Sequence, residues 1–374
     1  MAKELNLLYF NQFVRGAAFS LVGIFIPIYL LTSGFSLSDV FTYFLIFHIA
    51  NFVFTFLILT ASKKIGYKPI FIGSMIFAAV FLILLQKDFS SPFFIPLIAL
   101  IFGVQEASYY LPFHAFFTRV SEQNKRGASY SSYSAFGQLS GLIAPLLGAL
   151  IVFFLGFSYL FLIGIILLVF SITPIFYLSN IKPLTKLSFS RVRDLTKKHK
   201  KFFLGTMASD IMSETHGIVW TIFVYLTLAS VLSVGWVGTL ATAGSILFTL
   251  FIGKFYDKKN KYLFLKIGGL LYFVLWITRI YFDTPAFIFA STILAGFLVI
   301  MTDIPFSSMF YDKAAEEKDS DEFIVVREIP TLIARSFFWI LMILLVNKFI
   351  VAFVLAGLAS LLLALIGFTE FNSE

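Results

Sequence analysis

The sequence predicts an all-α, polytopic membrane protein whose twelve transmembrane helices form two pseudo-symmetric six-helix bundles. First, 59% of the 374 residues are hydrophobic and only 13% are charged, whereas a soluble domain carries about 25% charged residues. Second, the apolar residues fall into twelve runs, each long enough to cross a bilayer. Third, lysine and arginine concentrate in alternate connections between these runs, a pattern typical of cytoplasmic loops.

The twelve runs divide into two sets of six. The first set lies at residues 7–31, 40–60, 69–86, 92–118, 128–154 and 156–178, and the second at 202–229, 234–252, 262–282, 286–311, 323–346 and 350–369. No charge separates the fifth run from the sixth or the seventh from the eighth, so Gly156 and Ser230–Ser233 are expected to form those turns. The predicted division is a first bundle at 1–178, a basic linker at 179–201 and a second bundle at 202–374.

The basic residues predict the orientation in the membrane. They follow the second, fourth, sixth and eighth helices, whereas the other side of the membrane carries few of them. These connections and both termini are therefore predicted to be cytoplasmic, in a plasma or inner membrane. The net charge of +8 has the same origin, so no nucleic-acid partner is expected.

The composition argues against several other classes of protein. The chain has no cysteine, which excludes disulfides and thiolate metal sites, and its four histidines have no metal-ligand spacing. No phosphate-binding Gly-x-x-x-x-Gly-Lys-Ser/Thr loop is present, so ATP is not expected to drive the protein. No cluster of nucleophile and base residues indicates an enzyme. We therefore expect no cofactor, no metal and no catalytic residue.

A short loop motif follows the eighth helix and has the pattern Gly-x-x-x-Asp-basic-x-Gly/Asn-basic. Its residues are Gly253, Asp257, Lys258, Asn260 and Lys261. A degraded copy with Lys63, Lys64 and Gly66 follows the second helix, 194 positions earlier. Leu111-Pro112-Phe113 and Ile304-Pro305-Phe306 repeat at a nearly equal offset of 193. Two unrelated segments with almost one shift favour an internal duplication, which is a hallmark of secondary transporters.

With this motif and two halves of six helices, the chain resembles the major facilitator superfamily over nearly its whole length. The resemblance implies two bundles around a central cavity lined by helices 1, 4, 7 and 10, with transport by alternating access. In the family, the acid of the first-half motif meets the start of helix 11. Here Lys63 replaces that acid, and the loop before helix 11 is acidic. Our hypothesis is a charge-swapped contact of Lys63 or Lys64 with this loop; the alternative is a solvated loop without such a contact.

The fifth helix carries Gly141, Ala144, Pro145 and Gly148. This spacing resembles, with alanine in place of two glycines, the Gly-Pro-x-x-Gly-Gly motif of the family's drug/proton antiporters. Small residues at this spacing also let helices pack closely without any transport role. The resemblance favours export, and ordinary packing is the alternative.

Polar and charged residues inside the apolar runs are candidates for binding substrate or protons. A charge at the bilayer centre costs about 2.5–3.5 kcal/mol on insertion scales, so each one requires a reason. The candidates on helices 1, 4, 7 and 11 are Asn11, Gln12, Arg15, Gln105, Glu106, Tyr109, Tyr110, Asp210, Glu214 and Arg335. Three further residues, Asp303, Arg327 and Glu328, are interpreted as a structural ion-pair network near the cytoplasmic side, and a substrate site is the alternative.

Two of these positions suggest proton coupling. Asp210 and Glu214 lie one helical turn apart, and two carboxylates so close do not both ionise easily, so one is expected to keep its proton near neutral pH. Glu106 is the other candidate; its alternative is an ion pair with Arg15 that only locks two helices together. Arg335 is expected to neutralise a carboxylate or to bind an anionic group. The histidines at positions 48 and 114 are expected to be packing residues whose ring nitrogens have hydrogen-bond partners.

The predicted function is secondary active transport of a small organic solute by alternating access, coupled to protons, with export favoured. The alternatives are a proton-coupled importer or a passive uniporter of a nutrient such as a sugar, amino acid or organic acid. A membrane sensor without transport activity is a more remote alternative. The expected partners are the solute, protons and the lipid bilayer, and the expected state is a monomer.

Overall fold

A computed structural model gives the fold and describes residues 2–87, 91, 93–122, 126–183, 188–252 and 261–371. All regular elements in these ranges are helical. The first bundle contains α1 (Ala2–Val22, continued by a 3-10 turn at Gly23–Phe25 and a helix at Ile26–Thr32), α2 (Leu37–Ile65), α3 (Tyr67–Leu84), α4 (Phe94–Val120), α5 (Arg126–Leu155) and α6 (Phe157–Ser171, continued by a 3-10 turn at Thr173–Tyr177).

The second bundle follows a short linker helix at Phe189–Lys198. It contains α7 (Lys200–Glu214, a π turn at Thr215–Val219, and Trp220–Leu228), α8 (Val231–Ile252), α9 (Lys261–Tyr281), α10 (Pro285–Glu316), α11 (Ser320–Leu344) and α12 (Phe349–Phe371). Eleven of the twelve long helices in the described ranges are long and apolar enough to cross a membrane. The remaining one, α11, contains five charged residues. The predicted twelve-helix, two-bundle fold is confirmed.

The two turns that lack charge are built differently. Gly156 separates α5 from α6, with φ at +89°, a conformation that favours glycine. The predicted turn at this glycine is confirmed. Between α7 and α8 the chain turns at Ala229, which is left-handed with φ at 48°, and α8 already begins at Val231. That turn therefore begins before the predicted segment at Ser230–Ser233.

The connections between α2 and α3, α4 and α5, and α10 and α11 lie with the linker helix at one end of the molecule, here called the basic end. The other end is called the opposite end. Gly66 forms the α2–α3 turn with φ at +86°, and a β-carbon there would lie 2.1 Å from Asn180 Oδ1. Asn180 donates to the carbonyl of Ile65 at 2.9 Å. The start of the linker is thus bonded to this turn, which explains the need for glycine.

The two bundles meet mainly through α2 with α11 and α5 with α8. At the α5–α8 contact, β-carbons added to Gly235 and Gly238 would lie 2.4 Å from Ala149 and 2.6 Å from Pro145. Gly148 packs on α1 instead, where an added β-carbon would lie 2.4 Å from the carbonyl oxygen of Leu21. The small residues of α5 therefore permit close helix packing on two sides, within the first bundle and against the second.

Candidate functional site

A cavity of about 330 Å3, here called the central cavity, lies between the bundles. Its charged and titratable lining residues are Glu106, His114, Asp210, Asp303, Arg327, Glu328 and Arg335. A second space of about 510 Å3, the side cavity, is lined by α1, α4, α5, α8 and α10 and includes Gln12 and Arg15. Four ring-bearing side chains line both the central and the side cavity: Tyr110, His114, Tyr130 and Tyr311.

Arg15 and Glu106 form a buried ion pair within the first bundle. Arg15 Nη2 donates to Glu106 Oε1 at 3.1 Å, and the two side chains are 6% and 17% exposed. The Arg15 guanidinium also lies 3.6 Å from the ring centroid of Tyr109 and 4.4 Å from that of Phe19. The aromatic faces and the carboxylate together compensate the buried charge. The geometry matches the ion-pair alternative for Glu106.

Of the other polar candidates on α1 and α4, Asn11, Gln12 and Tyr109 are hydrogen-bonded inside the first bundle, whereas the side-chain amide of Gln105 has no hydrogen-bond partner among the described residues. Asn11 donates to the carbonyl of Ser171 at 2.8 Å and accepts from the Tyr109 hydroxyl at 3.0 Å. Gln12 accepts from the Tyr133 hydroxyl at 2.7 Å and lines the side cavity. Gln105 is fully buried and lines neither cavity. Of this group, only Gln12 and Tyr110 reach the spaces between the bundles.

Arg335 of α11 forms ion pairs with both acids of α7, Asp210 and Glu214. Its Nη2 lies 2.8 Å from Asp210 Oδ1, and its Nε lies 3.3 Å from Glu214 Oε1. Glu214 also accepts from the indole of Trp339 at 3.0 Å. The two carboxylates are therefore not a bare acidic pair, because an arginine on α11 neutralises them. This corrects the expectation that their mutual repulsion alone decides which of them holds a proton.

His48 completes this cluster from the other bundle. Its Nε2 lies 3.1 Å from Glu214 Oε2, and its Nδ1 lies 3.3 Å from Arg335 Nη1. Since the arginine donates to Nδ1 and the carboxylate accepts from Nε2, the contacts fit the tautomer with hydrogen on Nε2. His48 is thus a buried histidine whose two ring nitrogens both have partners, and these partners lie in the second bundle. It forms a polar link between α2 and the second bundle in the membrane interior.

The local structure of α7 separates its polar side chains. Asp210 and Glu214 share one helix face because they are four residues apart. The π turn at Thr215–Val219 follows immediately, and such turns are frequent at functional sites. His216, within that turn, points into the second bundle, with its ring centroid 6.2 Å from that of Tyr272. The acids thus face Arg335 while the histidine faces away.

Asp303 does not belong to the predicted ion-pair network. Arg327 pairs with Glu328 at 3.1 Å and lies 4.3 Å from the ring centroid of Phe310. Asp303 instead accepts hydrogen bonds from the hydroxyls of Tyr130 at 3.3 Å and Ser307 at 3.2 Å. The network prediction holds for Arg327 and Glu328 and is wrong for Asp303, because the rings between α10 and α11 keep the charges apart.

At the basic end, the start of α11 is contacted by an arginine of α4 and not by Lys63 or Lys64. Arg119 Nη2 on α4 donates to Asp321 Oδ2 at 2.7 Å, a carboxylate that is 1% exposed. Deeper in, His114 Nδ1 lies 2.8 Å from the hydroxyl of Tyr311, so this histidine too links the bundles and does more than pack. Lys63 and Lys64 are exposed. The hypothesis of a charge-swapped contact is right about the acidic surface, but the basic residue of the first bundle that binds it is Arg119 and not Lys63 or Lys64.

The linker helix is bound to the same acidic surface. Glu317 is paired with Arg191, Lys198 and His199, at distances of 2.9, 2.5 and 2.7 Å. Burial by itself raises the pKa of the Glu317 carboxyl, but hydrogen bonds from Lys198 and His199 more than offset this and bring the pKa to about 2. The linker therefore holds its contact with the α10–α11 loop while this carboxylate is ionised.

Comparisons with known proteins agree with this architecture. Residues 8–204, just over half of the chain, match the family model described as Major Facilitator Superfamily. The chain belongs to the major facilitator superfamily. A comparison with curated proteins finds no match. Among solved structures, the human organic anion transporter MFSD10 (TETRAN) superposes with a TM-score of 0.74 and 12% identity, covering 98% of this chain and 99% of that one.

As a superfamily member, the chain is a multi-pass membrane transporter, and this part of the predicted function is confirmed. The loop motif that first suggested the family lies largely outside the described residues, at Gly253, Asp257, Lys258 and Asn260. Its last residue, Lys261, has its Nζ 3.9 Å from Asp312. The lining of the central cavity also differs from the expected helices 1, 4, 7 and 10, since α2 and α11 contribute to it and α1 reaches only the side cavity.

The sequence does not predict that two histidines join the bundles. A titratable side chain in a membrane-spanning run is costly unless it has a partner, which predicts partners for His48 and His114. Their partners, Glu214 and Arg335 for His48 and Tyr311 for His114, lie on distant segments of the chain. The sequence alone does not identify them.

Proposed function

We propose that this superfamily member is a proton-coupled secondary active transporter that exports a small organic solute. The observation that carries the proposal is the bond between His48 and Glu214, at 3.1 Å, which joins the two bundles through a carboxylate that is 6% exposed. A proton on Glu214 removes the charge that His48 and Arg335 bind, which weakens a contact that must break when the bundles rock apart. Proton binding is thereby linked to conformation.

In this proposal the bundles at 1–178 and 202–374 rock as units in a monomer, and the linker at 179–201 tethers them. The basic end and both termini face the cytoplasm of a plasma or inner membrane. Contacts at the two ends act alternately as gates. The ion pair between Arg119 and Asp321 keeps the basic end closed. Stacking of Phe44 on Trp339, with ring centroids 4.8 Å apart, holds the opposite end. Glu106 is a second proton site, released from Arg15 when it is protonated.

The proposed direction rests on the run at Gly141, Ala144, Pro145 and Gly148 and its likeness to drug/proton antiporters. A passive uniporter is the second candidate, because Glu106, Asp210 and Glu214 all have arginine partners in this conformation. Acids that stay paired throughout the cycle would lock helices and carry no proton. A nutrient importer uses the same fold and differs only in the direction of net flux.

Transport in proteoliposomes tests the proposal. Solutes are first selected from a panel by their thermal stabilisation of the purified protein, and hits are then assayed with and without an imposed pH gradient. The wild type should accumulate solute against its gradient only when the pH gradient is present. Glu214→Gln and Glu106→Gln should retain solute exchange and lose accumulation. Wild-type transport that is unaffected by the pH gradient would refute proton coupling and favour the uniporter.

A further inference from the structure

Among the described residues, each carboxylate that lines the central cavity has an arginine partner, except that of Asp303. Glu106, Asp210 and Glu328 are each within 3.1 Å of an arginine nitrogen. For Asp303, the part of the chain that the structure describes provides no lysine, arginine or histidine nitrogen within 4.0 Å. Both of its hydrogen bonds come from neutral hydroxyls. Asp303 is half-buried, and a carboxylate that is partly removed from water without a counter-charge is costly, so this position favours either a proton or a cation.

The basic groups of the two cavities show the reverse pattern. Arg15, Arg327 and Arg335 all have carboxylate partners at 2.8–3.1 Å. An anionic ligand would therefore have to displace an existing partner, whereas a cationic ligand would find Asp303 without one. The solved structure of an organic anion transporter shares the fold at 12% identity and does not bear on this difference.

Aromatic side chains surround the space in front of Asp303. The rings of Tyr130 and Tyr311 are 5.6 Å apart between centroids, and Phe310 lies 4.8 Å from Tyr311. Tyr110 and Tyr130 also line the cavity. Ring faces attract alkylammonium groups, most strongly where the contact excludes water. One carboxylate amid such rings is suited to an organic cation.

We propose that Asp303, with Tyr110, Tyr130 and Tyr311, forms a subsite for the cationic group of the transported solute, a protonated amine or a quaternary ammonium. This inference rests on the proposed transport function and names its substrate class. The carboxylate supplies the counter-charge, and the rings contact the alkyl or aryl substituents. The other acids that line this cavity are paired: Glu328 with Arg327, Asp210 with Arg335 and Glu106 with Arg15. Among the described residues, Asp303 is the acid of this lining that has no basic partner.

The subsite also connects ligand binding to movement of the bundles. Tyr130 belongs to α5 and Asp303 to α10, so their hydrogen bond at 3.3 Å joins the two bundles on the basic side of the cavity. A cation bound to Asp303 competes with the Tyr130 hydroxyl for the carboxylate oxygens. Binding therefore weakens one of the contacts that hold the basic end closed, which lets the ligand shift the balance between conformations.

Equilibrium dialysis of radiolabelled tetraethylammonium with the purified protein in detergent tests the subsite. The wild type should bind this cation saturably, and unlabelled tetraethylammonium should displace it, whereas the anion benzenesulfonate should not. Asp303→Asn should weaken binding at least tenfold, whereas Asp303→Glu should retain most of it. Asp283→Asn, which changes an exposed acid beyond α9, is the matched control and should bind like the wild type. Tyr130→Phe should bind two- to fivefold more tightly, because its hydroxyl no longer competes.

Several outcomes would overturn the subsite. They are wild-type protein without saturable binding, displacement by the anion as readily as by the cation, or unchanged affinity in Asp303→Asn. If Asp303→Asn does not fold, as judged by its melting midpoint, the Tyr130→Phe result decides, and unchanged affinity there overturns the proposal. Since no pH gradient is applied, loss of proton coupling in proteoliposomes leaves this result intact, and the two proposals fail separately.

Discussion

Replacing Glu214 with glutamine should shift the balance between conformations by about tenfold. Glu214 has three partners: Trp339 and Arg335 in its own bundle, and His48 in the other. Losing the first two lowers the stability of the second bundle and leaves the relative position of the bundles unaffected. Only the contact with His48 must break when the opposite end opens, so only its strength enters the conformational balance.

The size of the shift follows from the chemistry of that contact. A hydrogen bond to a charged group contributes about 1.5–3 kcal/mol and a neutral one about 0.5–1.5 kcal/mol. Glutamine can still accept from His48, so the loss is the difference, about 1.4 kcal/mol, which corresponds to a factor of ten. A conformation populated at roughly 1% would rise to about 9%.

Distance measurement between two spin labels can detect this change. The natural chain has no cysteine, so Thr32→Cys on α1 and Leu344→Cys on α11 place labels uniquely at the opposite end of each bundle. Both side chains are exposed, Leu344 at 73%. Pulsed electron–electron double resonance should show a larger long-distance population in the labelled Glu214→Gln variant than in the labelled protein that keeps Glu214.

Asp210→Asn is the matched control for this experiment. It also removes an acid that contacts Arg335, but that contact lies within the second bundle. It should lower the melting midpoint and leave the distance distribution unchanged. An unchanged distribution in Glu214→Gln, or an equal shift in both variants, would contradict the assignment of the His48 contact as a link between bundles.

Three further predictions concern the basic end and the helix packing. Arg119→Gln leaves a buried carboxylate on α11 unpaired and should open the basic end by about tenfold in maleimide labelling of a cavity cysteine, whereas Lys63→Gln should have no effect. Gly244→Ala would place a β-carbon 1.9 Å from a carbonyl oxygen of α10 and should cost about 1–3 kcal/mol of stability; Gly73→Ala, with open space around it, should melt no lower than the wild type. Glu317→Gln should speed amide exchange in the linker helix about tenfold at pH 7. Because the pKa of this carboxyl is about 2 in the folded protein, against 4.5 as its ordinary value, the wild-type contribution should be complete above pH 4.5 and be lost as the pH falls towards 2.

Much of the candidate site was accessible from residue types alone. Buried charges in apolar runs pointed to Arg15, Glu106, Asp210, Glu214 and Arg335, because hydrocarbon tolerates such groups only with partners. All five are found in buried ion pairs. The sequence does not show which acid pairs with which base, because each pair joins helices that are far apart in the chain, such as α7 and α11.

Asp303 and His48 show what the sequence could not supply. Asp303 lies close enough to Arg327 and Glu328 in the predicted helices to suggest one network, and only side-chain packing reveals that the rings around Tyr311 separate them. His48 is an isolated histidine until α2 is placed against α7 and α11. Asp303 and His48 each have a hydrogen-bond partner in the other bundle. Hydropathy and charge pattern do not show how the two bundles pack together, so they do not identify these partners.

The sequence by itself determined the class, the helix count and the two-bundle fold, because a bilayer requires long apolar helices and close helix packing requires small residues. The tertiary structure decided the pairing of charges, the links between the bundles and the position of Asp303, whose carboxylate has no basic partner among the described residues. The physical reason is that burial in a membrane limits which residues can occur along each helix, whereas partnership depends on short distances between helices. Those distances exist only once the twelve helices have packed.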